Sequence, residues 1–87
     1  MGRINAKIVS IENGFDLMEG LTAIKIVSKK YNILIMEDYL PVIGKVEGSL
    51  SFVGDGINKT IENVEGFYKH SHNEFELLIK SFNRNDW

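Results

Sequence analysis

The sequence predicts an all-β fold, a small β-sandwich or flattened barrel of about seven to ten short strands. Three observations carry this. From Lys45 to Val53 apolar and polar residues alternate with period two, the pattern of a strand with one buried face. Turn signals recur at Asn13-Gly14, Gly54-Asp55-Gly56 and Ser71–Asn73, each between apolar runs. Eight glycines against one proline indicate many turns and little polyproline character.

Residues 4–11, INAKIVSI, are rich in β-branched side chains, which suit a pleated surface. Asn13-Gly14 then turns the chain. Gly14–Met18 sets Phe15 and Leu17 against Asp16 and reads as a short strand, which Gly20 breaks. Leu21–Ser28 is the next strand, with Ile24 and Ile26 opposite Lys25. Lys29-Lys30 is a turn or a charged strand end.

Tyr31–Met36 is almost wholly apolar after Asn32. It is too short for a typical buried helix, so a strand is expected. Glu37-Asp38 ends it, and Leu40 is biased towards extended geometry by Pro41. In the 45–53 strand Val46, Gly48, Leu50 and Phe52 share the buried face. Asn58–Val64 is a further strand, Glu65-Gly66 a bend or bulge, and Phe67–His70 a short continuation. Glu74–Lys80 places Phe75, Leu77 and Ile79 inward, with Leu78 on the outward face. Period two fits this segment better than a helix. One domain is expected over residues 1–82, followed by a polar tail at 83–87.

Composition narrows the function. A net charge of −2 with interspersed signs gives no basic stripe for nucleic acid. No apolar run approaches a membrane span, and the MGRINAK start lacks the apolar core of a signal peptide. With no cysteine there is no disulfide framework and no thiolate metal site. The expected location is the cytoplasm, with membrane association only through a complex.

No motif announces a reaction. His70-x-His72 could present two imidazoles on one strand face, but no third ligand accompanies them, and solvated turn histidines are the simpler reading. Glu37-Asp38 is adjacent in sequence and reads as a polar turn rather than a carboxylate pair. Gly54-Asp55-Gly56 lacks the remainder of a phosphate loop. Asn58-Lys59-Thr60 matches a glycosylation acceptor by chance if no secretory signal is present. Tyr31, Tyr39, Phe52, Phe67, Tyr68 and Phe75 lie at strand spacing and are expected to pack rather than stack bases. No catalytic residue, metal or cofactor is expected.

Read together, AKIVSIENGFDLMEG at residues 6–20, LTAIKIVS at 21–28 and YNILIMEDYLPVI at 31–43 resemble the N-terminal β-sandwich domain of the epsilon subunit of F-type ATP synthase. In the third segment Ile35 matches the family's isoleucine and Pro41 its second proline, with Val42 and Ile43 following. VEGFYKHSHNEFELLI at 64–79 resembles a later family pattern through Val64, Gly66, Phe67, Asn73, Phe75, Leu77 and Leu78. The chain departs at Tyr31 and Leu34, which replace glycines, at Glu37, which replaces the first proline, and at Tyr39, which replaces a histidine. The family's C-terminal helical hairpin has no counterpart in these residues.

The resemblance implies a non-enzymatic rotor-stalk component that docks on the gamma subunit and on the c-ring of a proton-translocating ATP synthase. Tyr39, Leu40, Pro41, Val42 and Ile43 make an apolar loop, with the 45–53 strand beside it, and are the candidate partner-binding residues. The competing reading of that loop is a plug for one end of the fold. The alternative function is a divergent β-sandwich interaction module or homo-oligomer unrelated to ATP synthesis. A small ligand-binding barrel is a third reading.

Overall fold

A computed structural model describes residues 3–10 and 14–82. Six strands follow in chain order: β1 (Ile4–Ser10), β2 (Gly14–Ser28), β3 (Asn32–Met36), β4 (Val42–Gly54), β5 (Ile57–Ser71) and β6 (Glu74–Phe82). Their order in the sheet is β1-β6-β5-β4-β2-β3, and a further β1–β2 pairing closes five of them into a barrel, with β3 as the extra strand. The expected all-β class is what forms. Principal extents of 41 × 25 × 18 Å show that the barrel is flattened.

The strands are fewer and longer than the sequence reading expects, because glycines bend them without ending them. Gly20 has φ +72°, a conformation open mainly to glycine. There β2 turns a corner instead of stopping. Its first half pairs with β1, and from Leu21 onward it pairs with β4. Both ladders slip register next to this corner, as a barrel bend requires. β5 bulges once: Glu62 and Asn63 stand opposite Ser49 alone, with Asn63 at φ +57°. A second slip falls where Glu65 and Gly66 pair with Ser81 and Ile79, and there the extra residue is Lys80, so the bulge expected at Glu65-Gly66 lies on the facing strand β6. A Cβ on Gly66 would collide with the backbone carbonyl of Leu78, so the close approach of the two strands depends on glycine.

The turns form as their residues dictate. Asp55-Gly56 joins β4 to β5, with Gly54 paired to Ile57. His72 and Asn73 both have positive φ and join β5 to β6 in a two-residue turn, the geometry that matches strand twist. Asn13 of the first expected turn and the 83–87 tail lie outside the described residues.

All ladders are antiparallel except β1–β6, which is parallel over Asn5–Ser10 and Glu74–Ile79. This follows from an odd count. Five strands running alternately up and down leave the first and last pointing the same way.

Alternation fills the interior. Ile4, Ala6 and Ile8 of β1, Leu21, Ile24 and Ile26 of β2, and Val46, Leu50 and Phe52 of β4 are buried. Phe75, Leu77 and Ile79 of β6 meet them as expected. Phe75 is the aromatic centre, edge-on to Phe52 at 6.1 Å and stacked on Tyr68 at 5.9 Å between ring centroids.

Candidate docking surface

The outer faces of the strands should be polar, since alternation sends every second side chain to water. On one side they are not. Cross-strand pairing aligns Phe67 of β5 with Leu78 of β6, Leu78 with Val9 of β1, and Val9 with Phe15 of β2. These four side chains form one apolar row across the outside of the barrel. Phe15, Phe67 and Leu78 are each about half exposed, and Val9 between them is partly covered.

Charge frames the row. Lys45 pairs with Phe67 at its end. The adjacent row runs Ile43, Lys69, Glu76, Lys7 and Leu17 across β4, β5, β6, β1 and β2. Within it Lys69 and Glu76 form an exposed ion pair at 3.5 Å. The Lys7 ammonium lies 5.3 Å from the Phe15 ring centre, close enough for a weak cation–π attraction. Ile43, 78% exposed, and Leu17 bracket the charged row. An apolar centre with a polar rim is the ordinary layout of a protein interface. Covering the remaining half of one such side chain gives about 1 kcal/mol. The row together with Ile43 and Leu17 therefore supplies on the order of 5 kcal/mol before association costs. That suffices for docking within an assembly and not for a tight isolated complex.

The segment 39–43 does not act as one patch. The Tyr39 ring stands edge-on to His70, with centroids 6.5 Å apart. Val42 is half-buried and packs on the core. Leu40 and Pro41 are exposed, Leu40 at 78%. Ile43 points to the outside and joins the surface described above. The segment thus packs Val42 against the core, lays the exposed Tyr39 ring edge-on to His70, and presents Leu40 and Ile43 to solvent. Leu78 is read as outward-facing from the sequence alone. The sequence reading sets Phe15 and Leu17 as the apolar side of their strand and expects Phe67 to pack, whereas all three face outward and Met18 is the buried residue of that part of β2; Val9 is not singled out there.

His70 and His72 are not brought together. His70 is fully buried, and neither ring nitrogen has a protein partner among the described residues. Burial holds its pKa below the usual histidine value, against a smaller opposing effect of Glu74. His72 sits in the exposed turn, its Nδ1 2.8 Å from the Ser71 hydroxyl. No cluster of three or more His, Asp or Glu that could hold a metal occurs among the described residues.

These features define a small β-barrel whose interior is filled by side chains and whose distinctive feature is an external apolar surface. No family model matches the sequence, and no curated protein matches it. A solved chain from the Tetrahymena thermophila mitochondrial ATP synthase, in a structure of its central stalk and c-ring, has the same fold. The TM-score is 0.74 at 11% identity, over 99% of this chain and 75% of that one. At that identity the likeness establishes the fold.

Proposed function

We propose that this domain is a non-enzymatic, epsilon-like docking module of the rotor stalk of a proton-translocating F-type ATP synthase. The observation that carries the reading is the fold correspondence over 99% of the chain with a component of an ATP synthase central stalk and c-ring structure. The sequence resemblance to the epsilon N-terminal domain reaches the same assembly by a separate route. In this reading the Phe67–Leu78–Val9–Phe15 row covers a gamma-type stalk subunit, and the loop with Leu40 faces the c-ring. No helix among the described residues is long and apolar enough to cross a membrane, and the domain reaches the membrane only through its partners.

The test is binding of the purified domain to the gamma subunit and c-ring encoded with it. Weak binding to gamma, in the high micromolar to millimolar range and lost in Phe67→Glu and Leu78→Glu, is the expected result. Absence of binding to either component at millimolar concentration overturns the proposal.

The second reading is an interaction module that associates with itself. One observation favours it, the open edge of β3.

A further inference from the structure

β3 pairs with β2 along one edge, from Val27↔Asn32 to Ala23↔Met36, and has no strand on its other edge among the described residues. Exposed edges normally carry devices that block further pairing, such as inward charges, proline, bulges or very short length; β3, the shortest strand at five residues, has only the last of these. The β3 segment Asn32-Ile33-Leu34-Ile35-Met36 has no charge and no proline, and its ladder runs without a register slip. Leu34 and Met36 point outward and are each about half exposed. Another strand stretch without a second neighbour, Ile57–Glu62 of β5, contrasts with it. That stretch carries Lys59 and Glu62, and Lys59 ties it to Asp16 of β2 at 3.1 Å.

We propose that β3 is a self-association edge, and that two copies of this chain pair β3 to β3 in antiparallel fashion about a two-fold axis at Leu34. Charge selects this occupant. β3 is preceded by Lys29-Lys30 and followed by Glu37-Asp38. Antiparallel pairing centred on Leu34 sets Asn32 opposite Met36 and Ile33 opposite Ile35, and it brings the basic entry of each copy near the acidic exit of the other, twice by symmetry; Asp38 lies in the turn after β3 at φ 62°, where its carboxylate accepts from the Asn73 amide. Lys29 and Glu37 already have partners in Glu47 and Arg3. Lys30 makes no ion pair among the described residues. The strand is therefore complementary to its own reverse, apolar in the middle and opposite in charge at the two ends. Leu34 meets Leu34 of the second copy on the outer face, while the Ile33–Ile35 pairs extend the apolar layer beneath. Pairing by added strands draws its affinity from main-chain hydrogen bonds and its register from such side-chain pairs.

This inference does not depend on the stalk reading. The β3 edge shares no residue with the Phe67–Leu78–Val9–Phe15 row, and gamma binding and self-association are measured separately. Sedimentation velocity over a micromolar to millimolar range should show a monomer–dimer equilibrium. Leu34→Glu places a carboxylate beside Lys25, its neighbour on β2, so the monomer stays folded. In the dimer it sets two carboxylates face to face, and the dissociation constant should rise about tenfold. Lys30→Glu should weaken the dimer, and so should Asp38→Asn, which removes the charge and keeps an acceptor for the Asn73 amide. Because the chain has no cysteine, Leu34→Cys should oxidise to a covalent dimer, since directly opposed strand residues lie within disulfide reach. Thr60→Cys, exposed on β5, should not. A chain that stays monomeric throughout, or a dimer untouched by Leu34→Glu and by the charge variants, overturns the proposal.

Discussion

The phenolic oxygen of Tyr68 lies 3.0 Å from that of Tyr31, and the Tyr31 hydroxyl donates in turn to the backbone carbonyl of Lys45. Tyr31 has one proton to give and spends it on Lys45, so Tyr68 is the donor between the two rings. The relay links the start of β3 to β4 and β5, three elements that meet at one end of the barrel. It also explains Gly44, where a Cβ would stand 2.5 Å from the Tyr68 oxygen.

Tyr31→Phe should destabilise the fold more than Tyr68→Phe does. The first removes both bonds of the relay, at about 1–3 kcal/mol. The second leaves Tyr31 bonded to Lys45, at about 0.5–1.5 kcal/mol. Urea unfolding of both single variants and the double variant measures the coupling.

Burial, and then the bond to Tyr31, push the Tyr68 pKa well above the usual tyrosine range. A folded-state pKa above the unfolded value means that this contribution is complete below about pH 10 and is lost as pH rises beyond it. Ultraviolet titration of the folded protein should show one of the three tyrosines ionising late, and Tyr68→Phe should abolish that phase.

His70 has the opposite sign. Its folded pKa lies below the unfolded value, so the unfolded chain binds the proton first. Stability is complete above about pH 6.5 and falls as the solution is acidified through that value. His70→Leu removes the titrating group from among Tyr39, Phe75 and Glu74. Its melting temperature should exceed that of the parent by more at about pH 5.5 than at about pH 7.5. An equal difference at the two pH values would count against this account.

Phe52→Ala should cost about 3–5 kcal/mol, since Phe52 is fully buried against Phe75. A domain of this size has roughly 5 kcal/mol to spare, so the variant should be largely unfolded by circular dichroism at moderate temperature. An unchanged denaturation midpoint would mean that β4 faces the other way.

Phe67→Glu and Leu40→Glu separate the two parts of the exposed apolar surface. Both side chains are solvent-facing, so both variants should melt within a few degrees of the parent. Phe67→Glu should weaken gamma binding about tenfold or more, and Leu40→Glu should leave it nearly intact. The reverse ranking would move the gamma site to the 39–43 loop.

The fold class was legible because period two survives locally. Val46, Leu50 and Phe52, and then Phe75, Leu77 and Ile79, alternate without interruption and are all buried. Strand number was not legible, because Gly20 looks like a break in one dimension. Whether a glycine ends a strand or bends it depends on whether the next residues find a new neighbour, and β2 finds β4. The docking row was hidden for a related reason. Val9, Phe15, Phe67 and Leu78 are far apart in the chain and become one surface only when the β1–β6 closure sets its register. Within the 39–43 segment, alternation does explain the outcome, since Val42 and Ile43 take opposite faces of β4.

The parallel closure has a mechanical consequence. The chain enters β1 at the end of the barrel where β6 begins and leaves β6 at the opposite end. Pulling the two termini apart therefore drags these neighbours past each other along their length. The six paired positions between Asn5–Ser10 and Glu74–Ile79 are loaded in shear and must yield together, whereas a hairpin loaded at its open end unzips one bond at a time. A domain built this way resists extension far better than its thin core suggests.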